Sequence, residues 1–132
     1  MQLNIGSCKE EDISITLACP LVAKHKDRNE IILFGGAVHL SKDFILDKDG
    51  NKVFGYLVEF NKQGWGKIIE GAYLKGMSQE HGIIKVTDES NGLMNKKIGD
   101  ILGVLPVHSC LTADLMGRYL TLDNKVIHMM KK

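Results

Sequence analysis

The chain has 132 residues, which suffices for one domain with its own core but not for two ordinary domains or a (β/α)8 barrel of about 250 residues. Its 17 basic and 16 acidic side chains nearly cancel to a formal charge of +1, which argues against nucleic acid or an anionic membrane surface as the main partner. No apolar stretch approaches the roughly 20 residues of a membrane span, and the N-terminus shows no signal-peptide pattern. We expect one soluble domain over residues 1–132, with no membrane partner.

The cysteines indicate a reducing compartment. Cys8, Cys19 and Cys110 are an odd number of thiols in a chain without a secretory signal, so no disulfide framework is expected and a cytoplasmic location is favoured. The 14 glycines, the two prolines and the low aromatic content are typical of short strands joined by tight turns.

The first third of the chain predicts short strands. Apolar side chains alternate with small or polar ones over residues 13–18, which is the period of a half-buried strand, and Pro20 indicates an edge or a bulge. Two apolar blocks follow at residues 29–34 and 37–40, separated by a pair of glycines. We include both blocks among the predicted strands.

The middle of the chain contains the strongest strand signal. Asp49-Gly50, between Leu46 and Val53, is a sequence typical of a hairpin turn. The strand that returns from this turn is expected to carry four aromatic or β-branched side chains on one face, namely Phe54, Tyr56, Val58 and Phe60.

The second half predicts further strands and a single helix. In chain order we expect two short strands around Gly64-Trp65-Gly66 and Gly71, a strand at 81–86, a loop at 87–97, a buried strand at 101–107, a helix at 111–116, and a hairpin of 119–122 with 126–129. About ten short strands with one short helix predict an all-β fold, a small barrel or sandwich.

The segment most suggestive of chemistry contains His108 and Cys110. On a strand, residues two apart point to the same side, so these two side chains could present an imidazole nitrogen and a sulfur to one point. Sulfur with imidazole suits Zn²⁺, and a site with only two protein ligands would keep open positions for water or substrate. The alternative is a hydrogen-bonded histidine beside a buried thiol.

Several motifs in order resemble one known family. They are PVHSCLT at 106–112, IGD at 98–100 and QEHG at 79–82, together with stretches at 35–43 and 18–22. This arrangement resembles the C-terminal domain of the D-serine dehydratase and D-threonine aldolase family. That family is similar to alanine racemase, in which a pyridoxal-phosphate (β/α)8 barrel is joined to a β domain and the chains pair into dimers.

The resemblance implies a role for particular residues. His108 and Cys110 correspond to the zinc ligands of the dehydratases, whereas aldolases carry Asp at the second position and lean toward manganese. His81 and Glu80 become candidates for a substrate pocket or a subunit contact, although His81 could equally be a strand-end histidine bonded to backbone. Gln79 departs from the family, where a Glu is common. The barrel with its Schiff-base lysine is absent, so no catalytic residue is expected here.

Two functions remain open from the sequence. The first is the metal-carrying C-terminal domain of a pyridoxal-phosphate-dependent lyase acting on D-hydroxy amino acids, excised from its parent and inactive alone. Its partners would be its own N-terminal barrel, a second subunit and a small D-amino acid, without nucleic acid. The second is a stand-alone, non-catalytic metal-binding or interaction β domain. We interpret His25, His39 and His128 as surface or hydrogen-bonded core histidines.

Overall fold

The computed structural model describes residues 1–129, which form mainly short strands. The strands are β1 (Leu17–His25), β2 (Glu30–Phe34), β3 (Ile45–Leu46), β4 (Lys52–Val53), β5 (Gly55–Val58), β6 (Phe60–Asn61), β7 (Gly64–Trp65), β8 (Ala72–Met77), β9 (His81–Val86), β10 (Ile101–Pro106), β11 (Arg118–Leu120) and β12 (Val126–His128). The helices are α1 (Ala37–Leu40) and α2 (Ser109–Met116), with 3-10 segments at Glu10–Asp12, Lys26–Arg28 and Asp88–Asn95.

Six of the strands close into a barrel, in the order β1-β10-β5-β8-β9-β2. Neighbouring strands in the ring are antiparallel throughout. The remaining strands form three small two-stranded hairpins, β3-β4, β6-β7 and β11-β12, outside the ring. The predicted small β-barrel is therefore confirmed.

The barrel interior holds the core. Every strand of the ring contributes at least one fully buried side chain to it, and these side chains are Cys19, Leu21, Ile31, Leu33, Leu57, Leu74, Ile84, Val86, Leu102 and Val104. On β5 both Leu57 and Val58 are fully buried and Tyr56 is half-buried, whereas Phe60 lies on the separate strand β6 and is exposed. The predicted strand is therefore present only over Gly55–Val58, and of the four side chains assigned to one face only Val58 is fully buried.

The first strand begins later than its sequence pattern predicts. Residues 13–16 have no strand structure, and β1 starts at Leu17, which pairs with Val104 of β10. Continuing this register would place Ile15 opposite Pro106, which has no N–H to donate, so the ladder has no reason to extend. The irregularity indicated by Pro20 is present as a shift in the pairing with β2 between Leu21 and Ala23.

Two segments differ from the prediction in type. The apolar block 37–40 is the short helix α1 rather than a strand. The predicted loop at 87–97 contains eight residues of 3-10 helix, because the buried Ser90 hydroxyl donates to the Gly71 carbonyl at 2.8 Å and Leu93 packs into the core. Lys24 Nζ donates to the Met94 and Lys96 carbonyls at 3.1 and 2.6 Å, which satisfies the end of this segment.

The remaining elements match the sequence closely. The hairpin at Asp49-Gly50 joins β3 to β4, β9 covers the predicted residues 81–86, and the last two strands form the predicted hairpin up to His128. Within residues 1–129, no helix is both long enough and apolar enough to cross a membrane.

Candidate functional site

The His-Ser-Cys segment lies where β10 ends and α2 begins. Strand pairing stops at Pro106, opposite Gly55, and His108 already occupies the N-cap position of α2. Its carbonyl accepts the Thr112 N–H at 3.2 Å, which starts the helix. The prediction that His108 and Cys110 share one face of a strand was wrong, because Cys110 lies in the first turn of the helix.

His108 is bound to a carboxylate from a distant part of the chain. Its Nδ1 lies 2.9 Å from Asp43 Oδ2, and both side chains are 44% exposed. An ionised carboxylate can only accept a hydrogen bond, so a neutral His108 carries its proton on Nδ1. Within residues 1–129 Nε2 has no hydrogen-bond partner, and its lone pair is available to a ligand.

Asp43 is fixed by the residues on both sides of it. Ser41, two residues earlier, has φ 69° and ψ −174°, a backbone conformation that is almost confined to glycine. The Ser41 hydroxyl accepts the Asp43 N–H at 3.3 Å. On the other side, the Phe44 ring packs 5.7 Å from the Phe54 ring, and the Lys52 ammonium lies 4.4 Å from the Phe44 ring centroid.

The helix that precedes Asp43 is seated on the turn between β8 and β9. The first amides of α1, those of Ala37 and Val38, donate to the carbonyls of Ser78 and Gln79 at 3.0 Å. A side chain at Gly36 would lie 2.6 Å from backbone atoms of this turn, so only glycine allows the approach. Helix α1 also packs against α2, which brings the segment carrying Asp43 to the start of α2.

The structure places Glu80 in that same turn and His81 at the first position of β9. The Glu80 side chain is exposed, while its carbonyl accepts the Gly35 N–H at 2.8 Å. His81 is half-buried, with its ring 5.8 Å from the Phe34 ring. Their contacts support α1 rather than converging on His108. Their role in a substrate pocket or a subunit contact stays a prediction.

The other three histidines are distributed around the fold. His39 Nδ1 accepts the Gly36 N–H at 3.2 Å, and its ring packs 5.2 Å from the Phe34 ring, so it helps to cap α1. His25 is half-buried at the end of β1, and His128 is exposed on β12.

Cys110 lines a cleft with a volume of about 580 Å³ between the N-terminal segment and the start of α2. Cys8 and Tyr119 also line this cleft, and the N-terminal amino group donates to the Val107 carbonyl at 3.0 Å beside it. His108 is not among the lining residues. The two candidate ligands are thus two positions apart in the chain but have different immediate neighbours.

The donor atoms available to a metal are therefore few. Among residues 1–129 no group of three or more His, Cys, Asp or Glu side chains could hold a metal ion. His108 Nε2 and the Cys110 sulfur are both accessible and chemically suited to Zn²⁺. By donor chemistry alone, the two side chains would supply two ligands of a zinc ion, and its other positions would have to be filled by other groups.

Sequence reasoning did not find the contact between Asp43 and His108. Asp43 lies in the stretch 35–43, which resembles the family, but it is 65 positions from His108 in the chain. No local spacing rule connects two residues at that separation, so only the packing of α1 against α2 reveals the contact.

Comparison with known proteins identifies the family. The sequence profile of the family described as "Putative serine dehydratase domain" matches residues 14–122. D-serine dehydratase of Dictyostelium discoideum is 31% identical over 134 residues, covering 99% of this chain and 33% of that protein. D-threo-3-hydroxyaspartate dehydratase of Delftia sp. is 30% identical, covering 83% of this chain and 29% of that protein. The chain therefore spans about a third of the length of these relatives.

This chain covers a larger share of a shorter relative. An uncharacterised protein of Mycobacterium tuberculosis is 26% identical over 117 residues, covering 87% of this chain and 77% of that protein. That protein consists largely of a domain of this kind.

Solved structures show the same fold. An alanine racemase-like protein from Idiomarina loihiensis superposes with a TM-score of 0.78 at 25% identity, covering 96% of this chain and 33% of that one. The Delftia enzyme superposes with a TM-score of 0.75 at 26% identity, covering 95% of this chain and 34% of that one. Variants of D-threo-3-hydroxyaspartate dehydratase with a histidine or a cysteine replaced by alanine, at positions two apart, were also solved, the cysteine variant in a metal-free form. The profile match over most of the chain shows that this protein belongs to the serine dehydratase domain family, as a dehydratase-like β-barrel domain.

Proposed function

We propose that the chain is the metal-carrying C-terminal domain of a pyridoxal-phosphate-dependent lyase that removes water from a D-3-hydroxy amino acid. The observation that carries the proposal is the start of α2, where His108 Nε2 has no hydrogen-bond partner within residues 1–129 and the Cys110 thiol is accessible. The relatives named for dehydratase activity support the reaction class. The same histidine–cysteine spacing in the variants of D-threo-3-hydroxyaspartate dehydratase, one of them metal-free, supports the ligand assignment.

The chemistry divides between this chain and the rest of the parent enzyme. A Zn²⁺ ion on His108 and Cys110 would act as a Lewis acid toward the substrate hydroxyl, which is a poor leaving group without such help. Pyridoxal phosphate, held by a barrel that these residues cannot supply, would withdraw electrons from the substrate Cα. This chain contributes an imidazole held in one orientation by Asp43 and a thiol in the first turn of α2.

The surface of the domain suits a role as one part of a larger protein. The hairpin β11-β12 and the turn within it carry four large aliphatic side chains that are more than half exposed: Leu120 at 69%, Leu122 at 72%, Val126 at 55% and Ile127 at 53%. Apolar surface grouped in this way marks sites of interaction with other protein. We propose that the N-terminal barrel of the parent enzyme and a second subunit cover it.

Two measurements on the 132-residue chain test this function. With added pyridoxal phosphate and Zn²⁺ it should release no pyruvate or ammonia from D-serine, because the cofactor has no barrel to bind it. Calorimetry should detect weak binding of about one Zn²⁺, weaker at lower pH because both ligands must be deprotonated. Binding should be lost in His108→Ala and in Cys110→Ala.

The matched control is His128→Ala, which removes an exposed histidine on β12, outside the proposed pair. Zinc binding equal to that of the unmodified chain in the His108→Ala, Cys110→Ala double variant would exclude the ligand assignment. Turnover of D-serine by the 132-residue chain alone would exclude the proposal that a separate barrel must bind the cofactor.

A second candidate is a stand-alone, non-catalytic metal-binding or interaction domain. The observation that favours it is the M. tuberculosis relative, of which this chain covers 77%. The genomic sequence upstream of Met1 decides between the two candidates. A reading frame that continues into a barrel with a cofactor lysine supports the lyase, whereas a stop codon directly upstream supports the stand-alone domain.

A further inference from the structure

The contact between Asp43 and His108 has a chemical consequence beyond holding two loops together. Asp43 Oδ2 lies 2.9 Å from His108 Nδ1, and each side chain retains 44% of its exposure. A surface contact of this kind adds little to folding stability, since both partners are well solvated. Its effect on the imidazole is larger, because it decides which ring nitrogen carries the proton.

A neutral histidine free in water favours the tautomer with the proton on Nε2. A carboxylate against Nδ1 reverses this preference, since it accepts only an N–H and would repel a lone pair. The lone pair is then on Nε2, the nitrogen that has no partner within residues 1–129. Metal-binding histidines in proteins commonly have this arrangement, with one ring nitrogen bonded to a carboxylate and the other bound to the metal.

The backbone that carries this carboxylate is constrained on both sides of Asp43. The left-handed backbone at Ser41 and the hydrogen bond from the Asp43 N–H to its hydroxyl define the turn after α1. The packing of Phe44 against Phe54 fixes the chain on the other side of Asp43. A strained non-glycine residue next to a candidate site is the kind of feature that is retained when orientation matters.

We infer that Asp43 is a positioning residue, which selects the Nδ1–H tautomer of His108 and presents Nε2 to the metal. The inference rests on the proposed metal role of His108 and extends it to a residue on a different element. Asp43 would touch neither the metal nor the substrate, so its contribution is made entirely through the imidazole.

The tautomer can be measured without any metal. In the 132-residue chain labelled with ¹⁵N-histidine, the ring nitrogen shifts of His108 at neutral pH should show protonated Nδ1. In Asp43→Leu, which removes the acceptor at similar size, the shifts should move to protonated Nε2. Asp43→Asn keeps an acceptor oxygen without the charge, so it should retain part of the original tautomer population. Asp49→Asn is the control, since it removes an exposed carboxylate at the tip of another turn.

Zinc calorimetry on the same proteins gives the second measurement. Zinc affinity should fall about 10- to 100-fold in Asp43→Leu, which is the usual effect of removing a carboxylate behind a metal-bound histidine, and less in Asp43→Asn. A wild-type spectrum with protonated Nε2, or unchanged tautomer and zinc affinity in Asp43→Leu, would overturn the inference. Absence of zinc binding by the wild type would instead overturn the proposed metal role, and the tautomer shift would still support the positioning of His108 by Asp43.

Discussion

At the scale of single residues, the Cys19 side chain packs directly against Gly35. Cys19 is fully buried, and its burial raises the pKa of the thiol to about 12. A Cβ at Gly35 would lie 2.4 Å from the Cys19 sulfur. The sulfur therefore occupies the space that a side chain at position 35 would need, so this cysteine serves packing rather than chemistry.

This pairing predicts strongly non-additive substitutions. Gly35→Ala should destabilise the fold by about 1–3 kcal/mol through overpacking, because the contact is with a buried side chain. In a Cys19→Ala background the nearest heavy atom to the new methyl group is the residue 19 Cβ at 3.4 Å, so the effect of Gly35→Ala should largely disappear. Urea unfolding of the two single variants and the double variant measures the coupling. If the losses in free energy of unfolding of the two single variants add up to that of the double variant within about 0.5 kcal/mol, the predicted coupling is contradicted.

A second residue-scale prediction concerns Glu30 and pH. Hydrogen bonds from Lys75 at 2.5 Å and from Arg28 at 3.0 Å hold the pKa of the Glu30 carboxyl below its ordinary value of 4.5. A carboxyl with a lowered folded pKa stabilises the fold only when ionised, so its contribution is present above pH 4.5 and is lost as the pH falls through the folded pKa.

Glu30→Gln should therefore lower the free energy of unfolding at pH 7 by about 0.5–1 kcal/mol, the range for a largely surface ion pair. The difference in free energy of unfolding between Glu30→Gln and wild type should shrink toward zero as the pH is lowered and Glu30 becomes protonated. Urea unfolding at pH 7 and at pH 3 measures both values. A loss that is equal at the two pH values would show that the charge on Glu30 does not contribute.

At the scale of elements, the proposed site depends on where α1 is seated. Gly36→Ala would place a methyl group 2.6 Å from the backbone at Gln79 to His81. Backbone cannot yield as a flexible side chain does, so α1 should shift away from the turn and carry Asp43 with it. We expect Gly36→Ala both to destabilise the fold and to weaken zinc binding. Gly92→Ala is the control, since a Cβ there meets nothing within 4 Å. Unchanged zinc affinity in Gly36→Ala would show that the site tolerates movement of α1.

Local sequence patterns predicted those elements whose formation depends on local chemistry. The Asp49-Gly50 turn and the strand 81–86 are of this kind, because turn geometry and alternation are encoded within a few residues. The first strand begins at Leu17 rather than at residue 13 for a non-local reason, namely that its earlier residues would meet Pro106 on another strand. The block 37–40 is too short for its periodicity to distinguish helix from strand.

For the candidate site, too, the features that depend on nearby residues were predictable and those that depend on distant residues were not. His108 and Cys110 were found from residue chemistry and from the resemblance of the surrounding motif. Their local geometry was wrong because the end of β10 depends on pairing with Gly55, which is distant in the sequence. Asp43 depends on packing between two helices and could not have been found from spacing.

At the scale of the whole molecule, the aliphatic surface at β11-β12 has a consequence for the isolated chain. Without the parts of the parent enzyme proposed to cover it, this surface should pair with that of a second copy. Analytical ultracentrifugation should show dimers or larger species that increase with concentration. Leu120→Lys with Leu122→Lys should restore the monomer.

Ile5→Lys is the control for self-association, because Ile5 is 69% exposed but lies in the N-terminal segment. If the unmodified chain stays monomeric at high concentration, or if Ile5→Lys disrupts association as well as the hairpin variant does, the hairpin is not the contact surface.

The closure of the barrel through β10 also bears on how the chain folds during synthesis. The pairs β1-β2 and β8-β9 join strands that are close in sequence, so they can form early at small entropic expense. Strand β10 pairs with β1 on one side and β5 on the other, and it is the last strand of the ring to leave the ribosome. Until it emerges, two strands keep unpaired backbone amides and carbonyls, which are the groups that recruit foreign strands. The nascent domain is therefore most exposed to misassembly in the interval before residue 106 is released, and a chaperone that protects strand edges would act on it there.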